Sequence, residues 1–191
     1  MKARQNPFRL EKLCQVRLRL PCGEIDDVIQ RWQAFQWRGA IIGPHGSGKT
    51  RLLDAIQKHM HQSGVPTLKI FLNDRNKKIP WAQMLFSPNS VVFIDGAEQI
   101  GGKQWKILAW FLRRNRGVLI TSHQEGRFST VIQMTPSLNL LKEIVKELSG
   151  TETFFDEDDF EFLFEKHHGN VREALRECYD LFSNKAEVRV R

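Results

Sequence analysis

The amino-acid sequence predicts an α/β fold, a central and mainly parallel sheet covered by helices, with a small helical subdomain at the C-terminal end. Three observations predict it. Short, uniformly apolar runs such as Ser90–Asp95 (SVVFID) and Gly117–Ser122 (GVLITS) suit strands buried on both faces of a parallel sheet. Those runs alternate with segments whose apolar residues recur at helical spacing. Beyond residue 135 the strand pattern stops and helical periodicity alone remains.

Taken in order, Val16, Leu18 and Leu20 alternate with Arg17 and Arg19, an edge-strand pattern closed by Pro21. Ile25, Val28, Ile29, Trp32 and Phe35 then predict a helix between Gly23 and Gln36. Ala40-Ile41-Ile42 is a short buried strand. A glycine-rich turn leads into a helix from about Lys49 to His61. Thr67–Leu72 is the next strand, 73–78 a polar and basic loop, and Ser90–Asp95 the strand after it. Trp105, Leu108, Ala109 and Leu112 mark one helix stripe, followed by the strand Gly117–Ser122. A further strand, Val131–Met134, comes too soon for a long helix to intervene. Thr135-Pro136 resembles an N-cap followed by a first-turn proline. The helix it opens carries Leu138, Leu141, Ile144, Val145 and Leu148 and stops at Gly150. Helices over 156–167 and 171–182 complete the chain, with a turn at Gly169-Asn170. The expected divisions are an N-terminal basic arm, edge strand and helix (1–36), an α/β core (37–135), a helical subdomain (136–183) and a basic tail (184–191).

Composition bounds the function. With 191 residues and 41% hydrophobic content, the chain can bury a core as one domain with an appendage. No run approaches the roughly 20 apolar residues of a membrane span. The N-terminus has charge but no apolar segment behind it, so no secretory signal is expected. Cys14, Cys22 and Cys178 are too scattered for a disulfide framework or zinc site, so a cytoplasmic protein with reduced thiols is expected. The net charge is +7, yet residues 151–165 hold seven acids and no Lys or Arg. The rest of the chain is therefore strongly basic, with clusters at the N-terminus and over 103–116. Such patches suit a nucleic acid or an acidic protein partner, and the acid-rich segment permits self-association into a homo-oligomer. The five tryptophans (Trp32, Trp37, Trp81, Trp105, Trp110) are expected mostly in packing.

Gly43-Pro44-His45-Gly46-Ser47-Gly48-Lys49-Thr50 matches the phosphate-binding pattern G-x-x-x-x-G-K-[ST] at every fixed position. A strand precedes it and an amphipathic helix (Leu52, Leu53, Ile56, Met60) follows, which is the context the chemistry needs. The glycines let backbone N–H groups converge on phosphate oxygens at the positive end of a helix. Lys49 neutralises the β- and γ-phosphates, and the Thr50 hydroxyl is placed for Mg²⁺. Arg51 is grouped with these nucleotide-contacting residues. A second Mg²⁺ ligand belongs at the end of a neighbouring strand, where Val91-Val92-Phe93-Ile94 ends in Asp95. ATP is expected over GTP, because no N-K-x-D guanine-reading segment occurs.

These motifs resemble the P-loop NTPases of the ASCE division, with AAA+ and STAND (NACHT) ATPases as the nearest likeness. The resemblance implies a three-layer P-loop sandwich with a C-terminal helical lid. Many such ATPases carry Glu directly after the Walker B Asp, whereas Gly96 stands here and the next acid is Glu98. The D-G-A-E segment is similar to the D-G-x-[DE] of NACHT proteins, which implies Glu98 as the catalytic base. Thr121, Ser122 and His123 end the strand that carries the γ-phosphate sensor in such folds. T-S-H also resembles the switch histidine of ABC ATPases, but no LSGGQ segment precedes Asp95. Gly169-Asn170-Val171-Arg172-Glu173-Ala174-Leu175 is similar to the sensor 2 segment of AAA+ lids, which implies Arg172 as a nucleotide contact. The stretch after His123 leaves no room for the usual helix that presents an arginine finger, so Arg113, Arg114, Arg116 and Arg127 are the candidates in trans.

Other clusters have plainer readings. His59 and His61 are two residues apart on a helix and diverge. His167 and His168 sit at a helix C-terminus. Asp156–Asp159 lacks the spacing and glycine of a calcium loop and suits a helix start. The expected activity is Mg²⁺-dependent ATP binding with slow hydrolysis coupled to a conformational change. The alternatives are a nucleotide-gated nucleic-acid or protein adaptor with little turnover, and a small-molecule kinase, against which the short 123–130 stretch argues.

Overall fold

The computed structural model describes residues 6–13, 16, 18–21, 23–150 and 155–188, and separates into two compact units. Cys14, Arg17 and Cys22, the first residues of the acid-rich segment and the end of the basic tail lie outside the described residues. One unit, built on the sheet, comprises Leu20–Gly43 and Gly48–Met134. Five parallel strands form it, β1 (Arg38–Ile42), β2 (Thr67–Phe71), β3 (Val91–Asp95), β4 (Gly117–Ser122) and β5 (Thr130–Gln133), in the order β2-β3-β4-β1-β5. Strands β3 and β4 are buried at every residue, as their unbroken apolar runs require.

Side-chain alternation divides those strands between two faces. Ala40, Ile42, Ile70, Val92, Ile94, Val118 and Ile120 pack with Met84 of α4 (Trp81–Phe86) and with Leu108 and Leu112 of α5 (Gly102–Leu112). Ile41, Phe93 and Leu119 occupy the alternate positions and are wholly buried. There α2 (Ile25–Ala34) buries Trp32, whose ring lies 5.9 Å from Phe93 and whose Nε1 donates to the Val118 carbonyl. Helix α3 (Lys49–Gln62) buries Leu52, Leu53 and Ile56. The unit is thus a three-layer α/β sandwich.

The connection from β4 to β5 contains no helix, as its length predicts. Ser122 lies level with Ile42 and Thr130 level with Ala40, so the chain retreats only slightly along β1 between them. Helix α4 has no counterpart among the expected elements. Its single turn and a half follows Pro80, and two residues of it, Leu85 and Phe86, remain largely exposed.

The second, helical unit takes the N-terminal segment up to Arg19, Pro44–Ser47 and the chain from Thr135 onward. Its core joins α6 (Leu138–Ser149), α7 (Glu157–Lys166) and α8 (Val171–Val188) through Leu141, Val145, Phe160, Leu163, Ala174 and Cys178. Phe8 and Val16 belong to the same core, with Phe8 in edge contact with Phe155 and Phe182. A four-residue helix, α1 (Leu10–Leu13), lies between them. The edge strand expected over 16–20 is not formed, since residues 18–20 carry no regular structure. Its alternation is satisfied differently: Val16 is buried, while Arg19 pairs with Glu143 and Glu147.

The caps follow the sequence closely, with small shifts. Ser137, rather than Thr135, caps α6 by accepting from the Leu140 amide. Asp156 and Asp159 form a capping box at the start of α7, which accounts for that acidic cluster without calcium. Helix α8 continues to Val188, into the stretch expected as a tail. Among the described residues, no helix is long and apolar enough to cross a membrane.

Candidate nucleotide-binding site

The end of β1 turns at Gly43, whose amide donates to the Ser122 carbonyl of β4. Gly48, with φ of +90°, then starts α3, and its carbonyl accepts from the Leu52 amide in the first helical bond. Lys49 is buried at this start, and its Nζ donates to the Gly43 carbonyl at 2.7 Å. The ammonium therefore spans the two ends of the loop whose amides can bind phosphate.

Asp95 ends β3 almost fully buried. Its Oδ1 accepts from Thr121 Oγ1 at 2.7 Å and from Thr50 Oγ1 at 3.2 Å. Its Oδ2 is buried without a hydrogen-bond partner. A buried carboxylate oxygen left unsatisfied costs free energy, and a cation is the usual remedy. The donor set, one carboxylate and one hydroxyl at the head of α3, is hard oxygen and fits Mg²⁺. Among the described residues, no group of three or more His, Cys, Asp or Glu could hold a metal by itself. Mg²⁺ bound through one carboxylate and phosphate oxygens needs no such group.

Thr121 also accepts from the Gly96 amide at 2.9 Å, tying β3 to β4 at their ends. Gly96 has φ of +83°, and a Cβ there would lie 2.3 Å from the Leu72 carbonyl oxygen. Glutamate therefore cannot follow Asp95 directly in this chain, and the next acid stands in a 3₁₀ turn over Ala97–Gln99. Glu98 Oε1 lies 3.0 Å from His123 Nε2, and Glu98 Oε2 is buried without a partner. The other ring nitrogen, His123 Nδ1, is 3.1 Å from the Gly43 carbonyl. Both nitrogens thus face acceptor oxygens, an arrangement that a ring carrying two N–H groups satisfies in full.

Ser122 follows Thr121 at the strand end, but its hydroxyl donates to the Gln124 carbonyl and accepts from the Gln124 amide. It holds the strand-end turn. Arg127 is likewise engaged within the chain, stacked over Trp105 at 4.4 Å and donating through Nη2 to the Ile100 carbonyl. Burial lowers its pKa from the ordinary guanidinium value, and the charge of Glu98 opposes that shift. A role for Arg127 as a finger in trans would require both contacts to break. The pairing of Glu98 with His123 and the place of Arg127 carry no local sequence signal, since each joins segments far apart along the chain.

Within the helical unit, Pro44 and His45 are exposed and Ser47 is buried, its Oγ without a partner. Gly46 has φ of +73°, and a Cβ there would fall 1.9 Å from Asn170 Oδ1 and 3.3 Å from the Arg172 amide nitrogen. Asn170 also accepts from the Glu173 amide, an N-cap contact for α8. The tip of the loop therefore abuts the beginning of α8. The Arg172 side chain is exposed. Arg51 is half-buried on the first turn of α3.

No family model matches the chain, and no curated protein matches it. Solved structures do. A replication initiator DnaA bound to AMPPCP and single-stranded DNA aligns with a TM-score of 0.63 and 13% identity, over 92% of this chain and 66% of that one. A point mutant of RuvB from Thermotoga maritima aligns at 0.53 and 15% identity, over 79% and 59%. Hsp104 of S. cerevisiae in its complex with casein aligns at 0.58 and 17% identity, over 94% and 40%. The chain thus spans less than two thirds of each of these proteins. Its fold is that of the α/β P-loop NTPases, and these neighbours are AAA+ ATPases.

Proposed function

We propose that the protein is a small cytoplasmic ATPase that binds MgATP and hydrolyses it slowly to drive a conformational change. The single observation that carries this reading is Asp95, buried beside Thr50 with one carboxylate oxygen unsatisfied, in a strand next but one to the phosphate-binding loop. Lys49 and the amides of residues 43–50 would bind the triphosphate. Thr50 and Asp95 would hold Mg²⁺, which supplies charge neutralisation at the phosphates. Thr121 keeps the Asp95 carboxylate oriented. Glu98 is assigned to accept a proton from water, as its D-G-A-E placement suggests. His123 is assigned to respond to the terminal phosphate through the Gly43 carbonyl, and Arg172 is assigned as a nucleotide contact by the likeness of residues 169–175 to the sensor 2 segment.

The test is a titration of ATP and of GTP with Mg²⁺, repeated on Lys49→Ala. ATP binding that disappears in the variant supports the assignment, and unchanged binding removes it. Hydrolysis is tested separately by Glu98→Gln, which should retain ATP and lose turnover.

A second reading, a nucleotide-gated adaptor with little turnover, is favoured by one observation. Glu98 Oε1 is already paired with His123, which engages one oxygen of the carboxylate and restrains it. Among the neighbours, one structure contains single-stranded DNA and another casein, and either class of partner is consistent with such an adaptor.

A further inference from the structure

Helix α5 presents one face that the sheet does not use. Lys103, Lys106, Ile107 and Trp110 on the helix, and Arg113 and Arg114 in the turn that follows it, fall at spacings of three and four, and all are exposed. Trp110, at the middle of this stripe, is 58% exposed, in contrast to the fully buried Trp32. The stripe runs about 16 Å from its first residue to its last at about 1.5 Å per residue.

Its charge serves no structural need in the fold. Neither α5 nor the segment after it to Arg116 contains an acid, so no intrahelical ion pair is available to the four cations. None of the four makes an ion pair among the described residues. The carbonyls at the C-terminal end of α5, where cations often act as caps, are already taken. Arg38 donates to those of Leu112, Arg113 and Asn115. Trp110 is likewise not required for the core, which α5 completes with Leu108 and Leu112. It rests edge-on against Phe111, with centroids 5.0 Å apart and planes at 88°, and stays open to solvent.

We propose that this face of α5 is a binding surface for single-stranded nucleic acid. Four unpaired cations would neutralise successive phosphates, and the Trp110 indole would stack on one base. A single strand offers an open base face for stacking, whereas a duplex hides its bases in pairs. A protein partner is less suited, because the stripe exposes only Ile107 and Trp110 as apolar side chains and a stable protein interface buries upward of roughly 1,000 Å². The surface lies outside the phosphate site, and the proposal stands whether or not nucleotide binds.

The experiment measures fluorescence anisotropy of a labelled oligo(dT) of about 20 nucleotides with the full chain, at low salt and without nucleotide. Binding is expected, with a log–log salt slope of about −3 if four phosphates are neutralised. Trp110→Ala should weaken it about tenfold and Trp110→Phe should restore most of that loss. Lys106→Ala with Arg113→Ala should flatten the slope by about 1.4. Absence of binding at low salt overturns the proposal. So does equal affinity of Trp110→Ala, or a labelled duplex bound as tightly as the single strand. Concentration-dependent self-association abolished by Lys106→Glu would also overturn it, assigning the stripe to an acidic face of a second copy.

Discussion

Glu98 Oε1 and His123 Nε2 lie 3.0 Å apart, and the same imidazole reaches the Gly43 carbonyl through Nδ1. Gly43 in turn accepts from Lys49. The acid assigned to water activation is thereby linked through one ring to the residue that opens the phosphate-binding loop. This link joins three separate segments of the chain and yields the first prediction.

His123→Ala frees the Glu98 carboxylate. Under the adaptor reading, in which the pairing restrains Glu98, turnover should rise roughly fivefold, the equivalent of about 1 kcal/mol for a partly exposed ion pair. Phosphate release with Mg²⁺ and ATP measures it. A fall in turnover with KM unchanged would instead make the imidazole a group that positions the carboxylate for reaction.

Thr121 is buried and serves Asp95 and the Gly96 amide at once. Thr121→Val keeps the shape and removes both bonds, leaving the partly buried Gly96 N–H unpaired and Asp95 with one donor fewer. The variant should lose about 2 kcal/mol of stability, read from urea unfolding. A loss below about 0.5 kcal/mol would show that water replaces the hydroxyl. Asp95→Asn should separately abolish the difference between Mg²⁺ and EDTA in an ATP-dependent thermal shift.

Gly46→Ala combines a positive φ with a Cβ 1.9 Å from Asn170 Oδ1. The backbone contribution alone is about 1 kcal/mol, and the overlap adds to it. Because the obstacle is a side chain, the double variant Gly46→Ala with Asn170→Ala should be less destabilised than the sum of the two single changes. A double-mutant cycle on thermal unfolding measures this coupling. Simple additivity would mean that the loop tip moves away from α8 without resistance.

Glu177 joins α7 to α8, 2.6 Å from Lys166 Nζ and 2.6 Å from His167 Nε2. The hydrogen bond from Lys166 is the main cause that holds its pKa below the ordinary carboxylate value, helped by His167 and opposed by burial. A carboxyl whose folded pKa is depressed contributes stability above its unfolded pKa and loses it as pH falls through the folded one. The melting temperature of the wild-type chain should therefore exceed that of Glu177→Gln at neutral pH. The difference should shrink below about pH 4 and vanish once the folded-state carboxyl is protonated. A difference that persists unchanged to the acid limit would assign the effect to packing.

Much of the candidate site is legible in the sequence because its signals are local. The phosphate-binding pattern occupies a single continuous run, Gly43 to Thr50, and Asp95 ends an apolar run that only a buried parallel strand explains. Gly96 is instructive in a different way. Its presence in place of an acid is visible along the chain, but the reason, the Leu72 carbonyl beneath it, belongs to the residue that follows β2. The grouping of Thr121, Ser122 and His123 follows from adjacency, yet the three bond to different partners, since successive side chains at a strand end point in different directions. Trp110 carries the same lesson, for five tryptophans look alike until their exposure is known.

The N-terminal segment marks where local reading fails. The alternation of Val16, Leu18 and Leu20 is indistinguishable from a strand in one dimension, yet Val16 enters the helical core that also holds Leu141 and Phe155. What the chain determines alone is the element periodicity, the loop that can bind phosphate, and the placement of an acid at a strand end. These depend on φ/ψ preference and on spacing along the backbone. Only tertiary structure decides which groups meet: Asp95 with Thr50 and Thr121, Glu98 with His123, Arg127 with Trp105, and Phe8 with the last helices. Those pairings depend on strand order and packing, which set distances between residues that lie far apart along the chain.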